Sequence, residues 1–81
     1  MPDLSQQEIS LMLEISGDNI ELYKVLKLEG LCHSGGAAKL AISEGLVSVN
    51  GNIETRKRKK IVDGDLIEFE QTAIVVKQKS P

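Results

Sequence analysis

Eighty-one residues, 41% hydrophobic and 27% charged with a formal net charge of −2, make one small globular domain and leave no room for a second core. The single cysteine, Cys32, excludes an internal disulfide and fits a reducing compartment. No apolar run approaches the ~18 residues of a membrane span and the polar N-terminus has no signal-peptide pattern, so a cytoplasmic protein away from membranes is expected.

Residues 1–7 are expected to form a disordered tail, followed by one domain over 8–77 and a frayed C-terminus at 78–81. Within the domain, EISLMLEI (8–15) sets Ile9, Leu11, Leu13 and Ile15 at alternate positions, which predicts a strand with one buried face. Ser16-Gly17-Asp18 breaks it, and Asp18 with Glu21 three residues on has the spacing of a capping box. A first helix over about 19–29 then lines up Leu22, Val25 and Leu26, with Gly30 as its stop. Lys24 and Lys27 project from it one turn apart. After the connector Leu31-Cys32-His33, Ser34 is the expected N-cap of a second helix over about 35–44. Its Ala37, Ala38, Ala41 and Ile42 form a narrow face that lets two helices approach closely, and Gly45 ends it.

The period then switches to two. Leu46–Val49 leads into Asn50-Gly51, a strong hairpin signal, and Asn52–Thr55 returns. Ile61-Val62, the turn Asp63-Gly64, Leu66–Phe69 and a last strand to Lys77 complete the order. The expected fold is α+β: an N-terminal strand, two short packed helices, and a small antiparallel sheet on one side.

Catalysis finds little support. Cys32 and His33 are adjacent on a connector and point different ways, no other Cys or His exists to complete a metal site, and the carboxylates are scattered. No catalytic residue, metal or cofactor is expected, nor a small-molecule substrate.

The charge pattern is more informative. Residues 1–23 hold five acids and no Lys or Arg, whereas residues 24–62 hold eight cations against Glu29, Glu44 and Glu54. Five of those cations are consecutive: Arg56, Lys57, Arg58, Lys59 and Lys60. Such a run repels itself unless an anion offsets it, and screening over ~10 Å at ~0.1 M salt lets the local field outweigh the net charge. Bland readings are a solvated loop, an edge-strand guard or a localisation-signal lookalike, but a guard needs one or two lysines and localisation signals favour flexible tails. Ser34, Gly35 and Gly36, with Lys39 one turn in, add a helix start that a phosphate could approach, although the glycines could equally relieve crowding at a tight turn. The spacing is not that of a nucleotide P-loop. With only Tyr23 and Phe69 as aromatics, base stacking is poorly provided for, which favours phosphate and shape contacts to folded or duplex RNA.

Gly30-Leu31, Ser34, Ala38-Lys39, Gly45, Val47-Ser48-Val49-Asn50-Gly51 and Gly64-Asp65 together resemble the αL motif of the RNA-binding domain named after small-subunit ribosomal protein S-four. The resemblance covers about residues 20–70. "LKLEG", "GGAAK" and "ETRKRKKIV" are more narrowly similar to small stand-alone bacterial proteins of the YbcJ type. The resemblance implies binding to ribosomal or other structured RNA, and a monomeric module is expected. The expected surface is Lys24, Lys27, Ser34, Gly35, Gly36, Lys39, Arg56, Lys57, Arg58, Lys59 and Lys60. An adaptor docking its basic loop on an acidic protein partner is the alternative. Two positions depart from the family pattern: Gly35 stands where Arg often follows the Ser, and Glu21 where a basic residue is common. Both shift the expected footprint toward the loop.

Overall fold

The computed structural model describes residues 9–79. In chain order the elements are β1 (Ile9–Ile15), β2 (Ile20–Glu21), α1 (Leu22–Leu28), α2 (Gly35–Ser43), β3 (Val47–Val49), β4 (Asn52–Ile53), β5 (Lys60–Ile61), β6 (Leu66–Phe69) and β7 (Thr72–Gln78). The proposed tail, and Glu8 at the start of the expected first strand, lie outside the described residues.

The α+β expectation holds. Strands β4, β3, β6 and β7 form the antiparallel part of a five-stranded sheet ordered β1-β7-β6-β3-β4. β1 joins its edge in parallel, with Leu11 opposite Ile74 and Leu13 opposite Val76. Parallel neighbours need a long crossover, and here both helices and the rest of the sheet lie between β1 and β7. The sheet is therefore mixed rather than purely antiparallel.

One core joins the layers. Leu22, Val25 and Leu26 of α1 and Ala38 and Ile42 of α2 pack with Val47, Val49, Ile67, Ile74 and Val76 from the sheet. Period-two side chains meet a helical stripe, so each element hides its apolar face on the other. Phe69 packs at the margin of this core, as does Tyr23.

Two local expectations are corrected. Asp18 and Glu21 form no capping box: Glu21 itself precedes the helix, and its side chain makes no cap bond. Asp18 instead accepts from Gln78 Nε2 at 3.2 Å. The reason is tertiary. Ile20 and Glu21 are drawn into β2 by antiparallel pairing with Ile61 and Lys60, so the helix starts later than the local signal suggests. The last strand also ends later than expected, at Gln78 rather than Lys77, and the Lys79 amide donates to Ile15 O at 2.8 Å. The parallel register with β1 carries the strand one residue further. Residues 80 and 81 lie outside the described residues.

The second helix matches its signals closely. Ser34 Oγ accepts from the Ala37 amide at 3.1 Å, as an N-cap serine should. At the hairpin, Asn50 and Gly51 both have positive φ, 52° and 85°, the pair of left-handed residues that a type I′ turn requires. Asn50 then reaches across to the second turn. Its Nδ2 donates to Asp65 Oδ1 at 3.0 Å and its Oδ1 accepts from the Leu66 amide at 2.9 Å, while Asp65 Oδ2 accepts from the Val62 amide. The two turns flanking the basic run are thus fastened to each other.

Candidate nucleic-acid interface

The basic run is fixed at the backbone. The first amides of α1 have no partner within their own helix, and carbonyls of the loop supply one: Leu22 N donates to Lys59 O at 2.9 Å and Tyr23 N to Lys57 O at 3.1 Å. Just beyond, Lys60-Ile61 pairs with Ile20-Glu21, and Ile61 is fully buried. Lys59 N closes a tight turn on Arg56 O at 3.1 Å. Backbone polar groups are therefore spent on holding the loop, while the side chains of Arg56, Lys57, Arg58 and Lys60 stay exposed and Lys59 is half-buried.

A side chain that the sequence reading passed over organises the cations. Lys39 Nζ lies 4.6 Å from the Tyr23 ring centroid, Lys24 Nζ 5.9 Å and the Arg58 guanidinium carbon 6.0 Å. One ring thus gathers charge from α1, α2 and the loop by cation–π attraction, worth about 0.5–1 kcal/mol per pair at exposed sites. Gly35 stands beside the same ring: a Cβ there would lie 3.6 Å from Tyr23 Cε2. A side chain at this position would thus begin in van der Waals contact with the ring edge. Tyr23 carried no sequence signal beyond being one of two aromatics.

The expected site residues divide accordingly. Lys24, Lys39 and Arg58 converge on Tyr23, with Gly35 at its edge. Lys57, Lys59 and Lys60 follow the clamped loop. Ser34 Oγ is engaged as a helix cap, and Gly36 is exposed beside it. Lys27 stands one turn along α1, exposed in its last turn and outside the Tyr23-centred contacts.

Acids also enter this surface, which the sequence reading did not anticipate. Glu54 takes a forked contact from Arg56, with Nε at 3.0 Å and Nη2 at 3.1 Å, and the Arg56 amide adds a third bond at 3.0 Å. These side-chain and backbone hydrogen bonds hold the Glu54 carboxyl down to about 2, against an ordinary 4.5. The separation Glu54-Thr55-Arg56 was the available signal. A carboxylate with a depressed pKa contributes stability that is complete above its unfolded value and is lost as the pH falls toward its folded one. We expect the stability difference between the protein and Glu54→Gln to close as the pH is lowered from about 4.5 to about 2, read by urea denaturation. A gap that stays constant through that window would contradict the assignment.

Glu21 lies between Lys24 Nζ at 3.4 Å and Arg58 Nη1 at 3.6 Å. Among the described residues, no group of three or more His, Cys, Asp or Glu side chains could hold a metal ion, and no helix is long and apolar enough to cross a membrane. Cys32 is buried, which pushes its thiol pKa up, with the Glu70 charge adding to the effect.

Residues 13–77 match the family model of the S4 domain. This chain belongs to the S4 domain family. Its S4 domain is 55% identical over 51 residues to YbcJ of Escherichia coli (strain K12), an alignment covering 63% of this chain and 73% of that protein. It is 38% identical over 58 residues to the "Probable ribosome maturation protein RlbA" of Bacillus subtilis (strain 168), covering 72% of this chain and 82% of the relative. The fold is similar to the solution structure of YbcJ from E. coli, with TM-score 0.63 and 40% identity over 95% of this chain and 96% of that one. That structure is described as revealing an αL motif involved in RNA-binding. The helix pair and the turns of this S4 domain are the elements that carry the αL motif here.

Proposed function

We propose that this protein is a non-catalytic, monomeric module that binds structured RNA in the cytoplasm, ribosomal RNA being the favoured class. The observation that carries the reading is the clamped loop: backbone bonds from α1 hold Lys57 and Lys59, and Tyr23 draws Arg58, Lys24 and Lys39 to the same place. An array of cations on three elements suits the spaced phosphates of a folded RNA, because the backbone that carries them needs little ordering on binding. Kinship with YbcJ, whose αL motif is described as involved in RNA-binding, and with a protein named for ribosome maturation supports the choice of nucleic acid. The aromatic supply argues against base stacking, since Tyr23 is engaged by cations and Phe69 packs on the core.

Phosphate neutralisation releases counterions, so affinity must fall with salt. For about five phosphates, log K against log salt should slope at roughly −3.5 to −4.5, measured by fluorescence anisotropy with a labelled RNA duplex. A slope near zero would sink the mechanism. Arg56 and Arg58 already bind carboxylates, and this favours a second reading in which the loop docks on an acidic protein. Binding to purified ribosomes that survives nuclease removal of accessible RNA would select it.

A further inference from the structure

Two acids pair with the basic surface, and they are held differently. Glu54 accepts three bonds at 3.0–3.1 Å, one of them from a backbone amide, and its side chain is only 13% exposed. It is a strut of the loop. Glu21 makes two longer contacts, 3.4 Å to Lys24 and 3.6 Å to Arg58, both to flexible side chains that are themselves 50% and 65% exposed. Its backbone is nevertheless fixed by pairing with Lys60 across β2 and β5, which puts a third cation opposite it. Both cations it touches also face the Tyr23 ring. An acid therefore sits among the cations of the proposed RNA surface.

We infer that the Glu21 carboxylate holds the place of an RNA phosphate on this surface and must be exchanged for one when a polyanion binds. This rests on the RNA-binding reading above and deepens it. Carboxylate oxygens accept from Lys and Arg donors as phosphate oxygens do. A tethered carboxylate also competes at high effective concentration, so a lone phosphate displaces it poorly. A ligand that engages Lys39, Lys57 and Lys59 at the same time has other contacts with which to offset the exchange. Glu21 thereby selects against weak polyanions that cannot span the surface, and it is a specificity-determining residue.

The test compares Glu21→Gln with Glu44→Gln. Both remove one negative charge, but Glu44 is the C-cap residue of α2 and makes none of the ion pairs found among the described residues. Two probes are used: a 20-base-pair RNA duplex and immobilised heparin. We expect Glu21→Gln to tighten duplex binding about three- to tenfold near ~0.15 M salt, the scale of two exposed ion pairs. Its salt slope should steepen by roughly 0.7–0.9, one further phosphate. It should also leave heparin at higher salt than Glu44→Gln, whose duplex affinity should shift by less than about twofold. Adding Lys24→Met and Arg58→Met should abolish the Glu21→Gln gain. The melting temperature of Glu21→Gln serves as a folding control, since the backbone pairing to Lys60 does not use the side chain. If the duplex binds with the expected salt dependence but Glu21→Gln behaves as Glu44→Gln or binds more weakly, the role of Glu21 falls alone. If the duplex fails to bind while Glu21→Gln is retained longer on heparin, the RNA reading falls and the place-holding role stands.

Discussion

Replacing Lys57, Lys59 and Lys60 together by glutamate should weaken binding to a structured RNA by at least about 100-fold near ~0.1 M salt and flatten the salt slope by about three. The side chains of these lysines form none of the ion pairs or cation–π contacts found among the described residues, although the Lys59 charge helps to hold the Glu54 carboxyl down and Lys60 stands opposite Glu21. Their main chain is committed: Lys57 and Lys59 carbonyls receive the first amides of α1, and Lys60 pairs with Glu21. Substitution therefore reverses the field while keeping the backbone bonds that shape the loop. Arg56 offers the contrast. Its guanidinium is engaged by Glu54, so Arg56→Gln should cost far less affinity than the lysine set. Anisotropy titrations at several salt concentrations separate the two variants, with circular dichroism confirming the fold. Affinity within a few-fold of the unsubstituted protein would show that RNA does not meet the loop.

Ile61→Ala should produce the largest loss of stability, about 2–5 kcal/mol. Ile61 is fully buried and opposes Ile20 in the two-stranded pair that anchors the basic run. Truncation removes its apolar contacts and leaves a cavity under the loop. In a domain of this length a loss of 1 kcal/mol lowers Tm by roughly 4–8 °C, so a fall of more than about 10 °C is expected. The variant also tests how fold and site are coupled. If Ile61 fixes the loop, the amides of Leu22 and Tyr23 should exchange faster with solvent than in the unsubstituted protein, because their acceptors are the loop carbonyls. A loss below about 1 kcal/mol would mean that the anchor lies elsewhere.

Much of the fold was legible because its signals are local. Alternating Leu11, Leu13 and Ile15 gave β1, although Ile9, expected on the same buried face, is exposed; Ser34 and Gly45 bracketed α2, and Asn50-Gly51 gave the hairpin. Each depends on side-chain periodicity or on a backbone conformation that few residues adopt, and both are properties of short stretches. The capping box at Asp18 and Glu21 failed for the complementary reason. Its residues fit the local pattern, but Lys60-Ile61, remote in sequence, offered strand pairing and loop carbonyls to the same segment.

The cations of the proposed surface were likewise plain in the sequence, because charge is a property of composition. Their organisation was not. That Tyr23 gathers Lys24, Lys39 and Arg58, that Glu54 occupies Arg56, and that Glu21 sits inside the surface all depend on which elements meet. By itself the sequence determined the elements other than β2, their order and the positive charge at Arg56–Lys60. Tertiary structure alone decided which charges are free, because two side chains neutralise each other only when the fold brings them within a few ångströms.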